Sequence, residues 1–184
     1  MLKIYDDKTK IMRERCTNVT LPLLKEDEDM LWQMLDYLKK SQDDQYAQKH
    51  NIRSGVGLAA PQVGVKKRMF VIYYKKKDKD DKEIEVQYAL INPKIVSNSA
   101  RKCALKGGEG CLSVKEDKDG YVFRYYKIVL NAFDLIQNKE VNIVAFGYDA
   151  IVLQHELDHL DGILYYDHIN KKDPFKVVPN SQLI

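Results

Sequence analysis

YDAIVLQHELDHL, residues 148–160, sets Ile151, Val152, Leu153, Leu157 and Leu160 at helical intervals, with His155, Glu156, Asp158 and His159 among them. Gly162 supplies a stop signal just beyond. Residues four apart on a helix lie about 40° apart around its axis, so the imidazoles of His155 and His159 project from one face and can bind a single metal ion. Glu156 is placed to reach a water on that metal and accept its proton. The plain alternative is an amphipathic helix that happens to carry two histidines. It is disfavoured because three of the four histidines fall within residues 154–168 and the apolar flanks make the helix buried, where unpaired imidazoles and carboxylates are costly.

Such a site needs a third ligand. Cys111 is the candidate, in Glu109-Gly110-Cys111-Leu112-Ser113, because a thiolate bounded by glycine can approach a metal closely. Taken alone, a cysteine in a Gly-rich turn is more often inert; its combination with the helix carries the case. Two histidines and one thiolate leave a fourth tetrahedral position for water, as in catalytic sites, with His168 still open as a further ligand. A third segment, Gly55-Val56-Gly57-Leu58-Ala59-Ala60-Pro61-Gln62, permits close backbone approach to a ligand and offers the Gln62 amide to an oxyanion. It lacks the spacing of a phosphate loop and the third glycine of a dinucleotide fingerprint.

Around these segments, Leu23 to about Lys49 reads as one amphipathic helix, with Met30, Leu31, Met34, Leu35 and Leu38 as its apolar stripe. Arg68–Tyr74, Ile84–Ile91, Val122–Arg124, Ile128–Phe133 and Val141–Phe146 read as strands of an antiparallel sheet, with a solvated hairpin tip in the charged run Lys75–Glu83 and a turn at Asn138. Pro174 and Pro179 predict short irregular structure in the tail.

With 184 residues, 45% hydrophobic and 31% charged, the chain fits a single domain spanning 1–184 and excludes a disordered or fibrous protein. A formal net charge of +3, from 30 basic and 27 acidic residues, is far from a nucleic-acid binder's excess, so no specific nucleic-acid partner is expected. Three scattered cysteines suit a reducing compartment, with Cys16 and Cys103 read as small buried residues. No apolar run suggests a secretory signal or a membrane span, and a cytoplasmic protein without membrane contact is expected.

Taken together in this order and spacing, GVGLAAPQ, EGCLS and QHELDH resemble the three signature motifs of peptide deformylase, and the resemblance extends over almost the whole chain. It implies an α+β fold of antiparallel sheets around a central metal-binding helix, here preceded by an N-terminal amphipathic helix. The implied activity is metal-dependent removal of the formyl group from N-formylmethionine at the start of new polypeptides, releasing formate. The resemblance maps the metal ligands onto Cys111, His155 and His159, the general acid/base onto Glu156, and the oxyanion-polarising groups onto Gln62 and the Leu112 N–H. It assigns peptide binding to the Val56 and Gly57 backbone, with Gly110. Val56, Tyr148, Ile151 and Val152 are candidates for the methionine pocket, or else ordinary core. Glu109 and Arg124 are candidates for orienting ligands, although Arg124 reads equally as a surface strand residue.

Fe(II) is the native ion that the resemblance suggests, while mixed N and S ligation also suits Zn(II), Ni(II) and Co(II). The charged insertion after Arg68 and the short tail are similar to the type II branch. A transient ribosome contact is the further partner implied, although the terminal helix that serves it in the type I branch is not expected here. Two rival readings stand beside this one. A metallopeptidase of other specificity would usually complete the motif with His or Glu rather than Cys111, and a metal-stabilised binding protein without turnover would lose no activity on replacement of Glu156.

Overall fold

The computed structural model describes residues 2–184. Its helices are α1 (Lys25–Ser41), α2 (Asp44–His50) and α3 (Gly147–Leu160). Its strands are β1 (Gly57–Ala59), β2 (Met69–Lys77), β3 (Glu83–Asn98), β4 (Lys102–Ala104), β5 (Arg124–Tyr125), β6 (Lys127–Asp134), β7 (Lys139–Phe146) and β8 (Ser181–Leu183). One five-stranded antiparallel sheet runs β1-β2-β3-β6-β7, and a small sheet runs β5-β4-β8. The expected α+β architecture is present, with α3 as the helix that carries the histidines.

Residues 69–74 of β2 are all buried because the two faces of the large sheet are both covered, which explains why this stretch shows no polar alternation. On one face Phe70, Ile72 and Tyr74 pack with Leu90, Ile128 and Leu130 against Val152, Leu153, Leu157 and Leu160 of α3. On the other, Met69, Val71 and Tyr73 pack with Ala89 and Ile91 against Leu31, Met34, Leu35 and Leu38 of α1. The apolar stripe read from α1 is therefore core, and α1 and α3 sandwich the sheet.

Several elements differ from the sequence reading. The single helix expected to about Lys49 is broken after Ser41, because the Asp43 side chain accepts from the Tyr46 N–H and starts α2 afresh. The Gly/Ala-rich segment holds the short strand β1 and a 3-10 turn over Ala60–Val63. The charged hairpin is mostly ladder: Lys75, Lys76 and Lys77 pair with Glu85, Ile84 and Glu83, so that only Asp78–Lys82 forms the tip. β3 runs on past Ile91 through an irregular register at Asn92 and Pro93, the position where proline has no N–H to give to a ladder. The strand expected at Val122–Arg124 is displaced to β5, and it joins the small sheet rather than the large one. In the tail, a 3-10 turn over Tyr165–His168 and strand β8 replace any long helix, and β8 pairs parallel with β4. Among the described residues no helix is long and apolar enough to cross a membrane.

Leu38 is fully buried between α1 and the sheet. Leu38→Ala is expected to lower unfolding free energy by about 2–5 kcal/mol, read by urea denaturation, whereas Val96→Ala on the exposed part of β3 should stay within about 0.5 kcal/mol.

Candidate metal centre

Three buried side chains converge beside the sheet. Cys111, from the loop between β4 and β5, sets its Sγ 3.3 Å from His159 Nε2, and one ligand atom from each of Cys111, His155 and His159 lies within 4.8 Å of the others. His155 and His159 come from successive turns of α3, as their spacing predicts. The His155 Nδ1–H donates to Glu109 Oε2 at 2.8 Å, which fixes the ring and turns its Nε2 toward the cluster. His168 stands apart: its Nε2 bonds Asp158 at 2.8 Å, and it is not in the cluster of ligand atoms.

Glu109 and Arg124 form the support beneath. Arg124 is buried, not a surface residue; its Nε and Nη2 donate to the two Glu109 oxygens at 2.6 and 3.0 Å, and its Nη1 donates to Asp158 at 2.7 Å. Burial alone would raise the Glu109 carboxyl, but the His155 hydrogen bond and the Arg124 charge outweigh it and bring it down to about 2. His159 is held well below its ordinary value by burial and by the neighbouring His155, so its ring is neutral and has a lone pair to give. For His155, burial opposes the charged form, yet Cys111 and Glu109 together push it well above the ordinary value. Burial pushes Glu156 up to about 7, against the charges of His155 and Arg124.

The donor set fits a divalent cation. Two imidazoles and a thiol are ligands that borderline-soft metals accept, and Glu156 Oε2 is buried beside them with no hydrogen-bond partner. His159 Nδ1 is likewise buried without a partner, so packing and the Nε2 contact with Cys111 place this ring. Gly57 leaves room for the site: a Cβ on it would run into the Glu156 side chain, so any other residue there has to displace that carboxylate.

The remaining expected residues surround the same cleft. Gln62 is almost fully buried; its Oε1 accepts from the Ala59 N–H at 2.8 Å, which directs its Nε2 to Ser113 Oγ at 3.1 Å and Cys111 Sγ at 3.5 Å. The Leu112 N–H has no backbone partner among the described residues. Val56, Gly57, Gly110, Tyr148, Ile151 and Val152 all line a cavity of about 220 Å³ whose polar end is formed by Gln62, Cys111, His155 and Glu156. Cys16 and Cys103 are buried elsewhere, and burial pushes the Cys16 thiol up to about 11.

Sequence reasoning missed three members. Ser113 stood inside the quoted cysteine segment but had no role until Gln62 was seen to reach it. Asp158 occupies a free position of the motif and closes the Arg124 network. Tyr165 stacks on His155 at 6.0 Å between ring centroids, and no local signal marked it.

A His-Glu-x-x-His helix packed into an antiparallel sheet, with a cysteine brought up by a neighbouring loop, defines a metal-dependent hydrolase. Residues 1–175 match the family model for polypeptide deformylase. A peptide deformylase from Macrococcus caseolyticus is 46% identical over 177 residues, covering 96% of this chain and 94% of its own. Peptide deformylase 2 of Geobacillus stearothermophilus is 47% identical over 166 residues, covering 90% and 88%. Among solved structures, the Met-Ala-Ser-bound class I type b peptide deformylase of Acinetobacter baumannii superimposes with a TM-score of 0.69 at 29% identity, covering 92% of this chain and 98% of that one. The chain belongs to the polypeptide deformylase family.

Arg124→Met would leave Glu109 buried with one partner fewer. It is expected to cost about 3–5 kcal/mol of stability in chemical denaturation. The same variant should weaken metal retention about 10–100-fold in chelator competition, because His155 loses its fixed support. Gly57→Ala should leave metal content intact but lower formate release by about 10²-fold, through displacement of Glu156.

Proposed function

We infer that this chain removes the formyl group from N-formylmethionine at the N-terminus of new polypeptides, with Cys111, His155 and His159 holding the metal ion. The observation that carries the reading is Glu156: a buried carboxylate with one unpartnered oxygen, beside three ligands and facing a cleft that ends in Gln62. The family is metal-dependent. Fe(II) is the ion we assign, and Zn(II), Ni(II) and Co(II) satisfy the same donors. When bound, such an ion supplies Lewis-acid polarisation and makes water acidic enough to deprotonate near neutral pH.

The protein's own groups do the rest. Glu156 takes a proton from the attacking water as its oxygen bonds to the formyl carbon, and returns it to the methionine nitrogen as the C–N bond breaks, giving formate and a free amine. Negative charge builds on the formyl oxygen, where the Gln62 Nε2–H and the Leu112 N–H donate; Gln62 is preset for this, since its Oε1 is already held by Ala59. Val56 and Gly57 lie at the start of an edge strand and take the peptide in extended form, with Gly110 opposite. Tyr148, Ile151 and Val152 form an apolar wall for the methionine side chain. Glu109 and Arg124 keep the His155 ring in place. The whole chain acts as one domain in the cytoplasm, and any ribosome contact is transient.

The test is formate release from a formyl-Met tripeptide by anaerobically purified, Fe(II)-loaded protein. Glu156→Ala is expected to lose about 10²–10⁴-fold in kcat while retaining its metal, and chelator-stripped protein should recover activity only when metal is returned. Formate release unaffected by Glu156→Ala would overturn the role given to this residue, and metal binding without any formate release would overturn the activity.

A further inference from the structure

Outside the cleft, the end of α1 reaches the start of β1. Ser41 Oγ accepts from the Gly55 N–H at 3.2 Å and itself donates to the Leu38 carbonyl at 2.8 Å. Gln42 Nε2 donates to two carbonyls at once, Gly55 at 2.8 Å and Tyr73 at 2.6 Å. Both backbone groups of Gly55 are therefore held by side chains of the helix terminus rather than by a strand.

The contact with Tyr73 alters the sheet. In an antiparallel pair, opposed residues exchange two hydrogen bonds, so the Tyr73 N–H to Val56 carbonyl bond of 2.9 Å should be matched by one from the Val56 N–H to the Tyr73 carbonyl. That carbonyl instead accepts from Gln42, and the Val56 N–H has no backbone partner among the described residues. The chain bends at Val56 and the ladder begins only at Gly57, opposite Ile72. Val56 lines the substrate cleft, while Gln42 does not.

We propose that Gln42 is a positioning residue for the substrate: by occupying the Tyr73 carbonyl it keeps the Val56 N–H out of the sheet and free for a backbone carbonyl of the incoming peptide. The proposal rests on the deformylase reading above. Ser41 serves the same end by holding Gly55, so that the bend is fixed on both sides of its peptide group.

Formate release is compared for wild type, Gln42→Met and Gln42→Glu on a formyl-Met tripeptide and on N-formyl-3-(methylthio)propylamine, which keeps the formyl amide and thioether but has no peptide carbonyl. Loss of one neutral hydrogen bond should raise KM for the tripeptide about five- to tenfold with kcat within about twofold, and the truncated amide should lose no more than about twofold in kcat/KM. In parallel, hydrogen exchange of the Val56 amide should be fast in free wild type, slow with the product peptide bound, and already slow in free Gln42→Met, where the ladder can close. Equal losses on both substrates, a loss confined to kcat, or a protected Val56 amide in free wild type overturns the proposal. Absence of formate from wild type on either substrate overturns the deformylase reading instead, and the exchange measurement on wild type, which needs neither turnover nor a folded variant, then judges the Gln42 contact by itself.

Discussion

The buried ion pair between Glu109 and Arg124 is the constraint on which the site depends. A carboxylate this far from water is tolerable only because a guanidinium grips both its oxygens and an imidazole donates to one of them. Three chain segments meet in that arrangement: the loop bearing Cys111, strand β5 bearing Arg124, and α3 bearing His155 and Asp158. Geometric demands of this kind fix where the cysteine loop lies on the helix, and so where the thiol meets the two imidazoles. The Glu109 carboxylate also accepts from His155 Nδ1, which leaves Nε2 as the nitrogen of that ring on the side of Cys111 and His159.

The large sheet divides the labour between its faces. One face is plain core against α1, and the other holds α3, which presents His155 and Glu156 to the cleft beside Tyr148, Ile151 and Val152. Burial of both faces supplies rigidity, and the rigidity matters because Glu156 lies so near Gly57 that a methyl group would not fit between them. The placement of Glu156 is thus a by-product of how a helix docks on an edge strand.

Much of this was legible in the sequence for physical reasons. Helix α3 announced itself because its period, its histidine spacing and its stop signal agree; Glu156 stood out with those histidines, and Gln62 and Cys111 because their Gly-bounded segments complete the same chemistry. Residues set by distant partners were not legible. Arg124 reads as either exposed or buried until Glu109 is seen opposite it, and the parallel pairing of β8 with β4 joins segments with almost no β signal of their own. The break between α1 and α2 was missed because the polar run from Lys39 to Gln45 holds no glycine or proline to mark a stop, and the Asp43 cap that restarts the helix is a single local hydrogen bond.

The hairpin of β2 and β3 extends as a charged ladder well beyond the packed body, and its tip at Asp78–Lys82 lies six residues along the strand from Ile72, the partner of Gly57. At strand spacing that is about 20 Å. Nothing in the cleft leans on the tip, which makes it a natural point of attachment. A peptide tag or a small folded module inserted there would ride on a stiff arm while the chemistry at the other end of the same strand went on undisturbed.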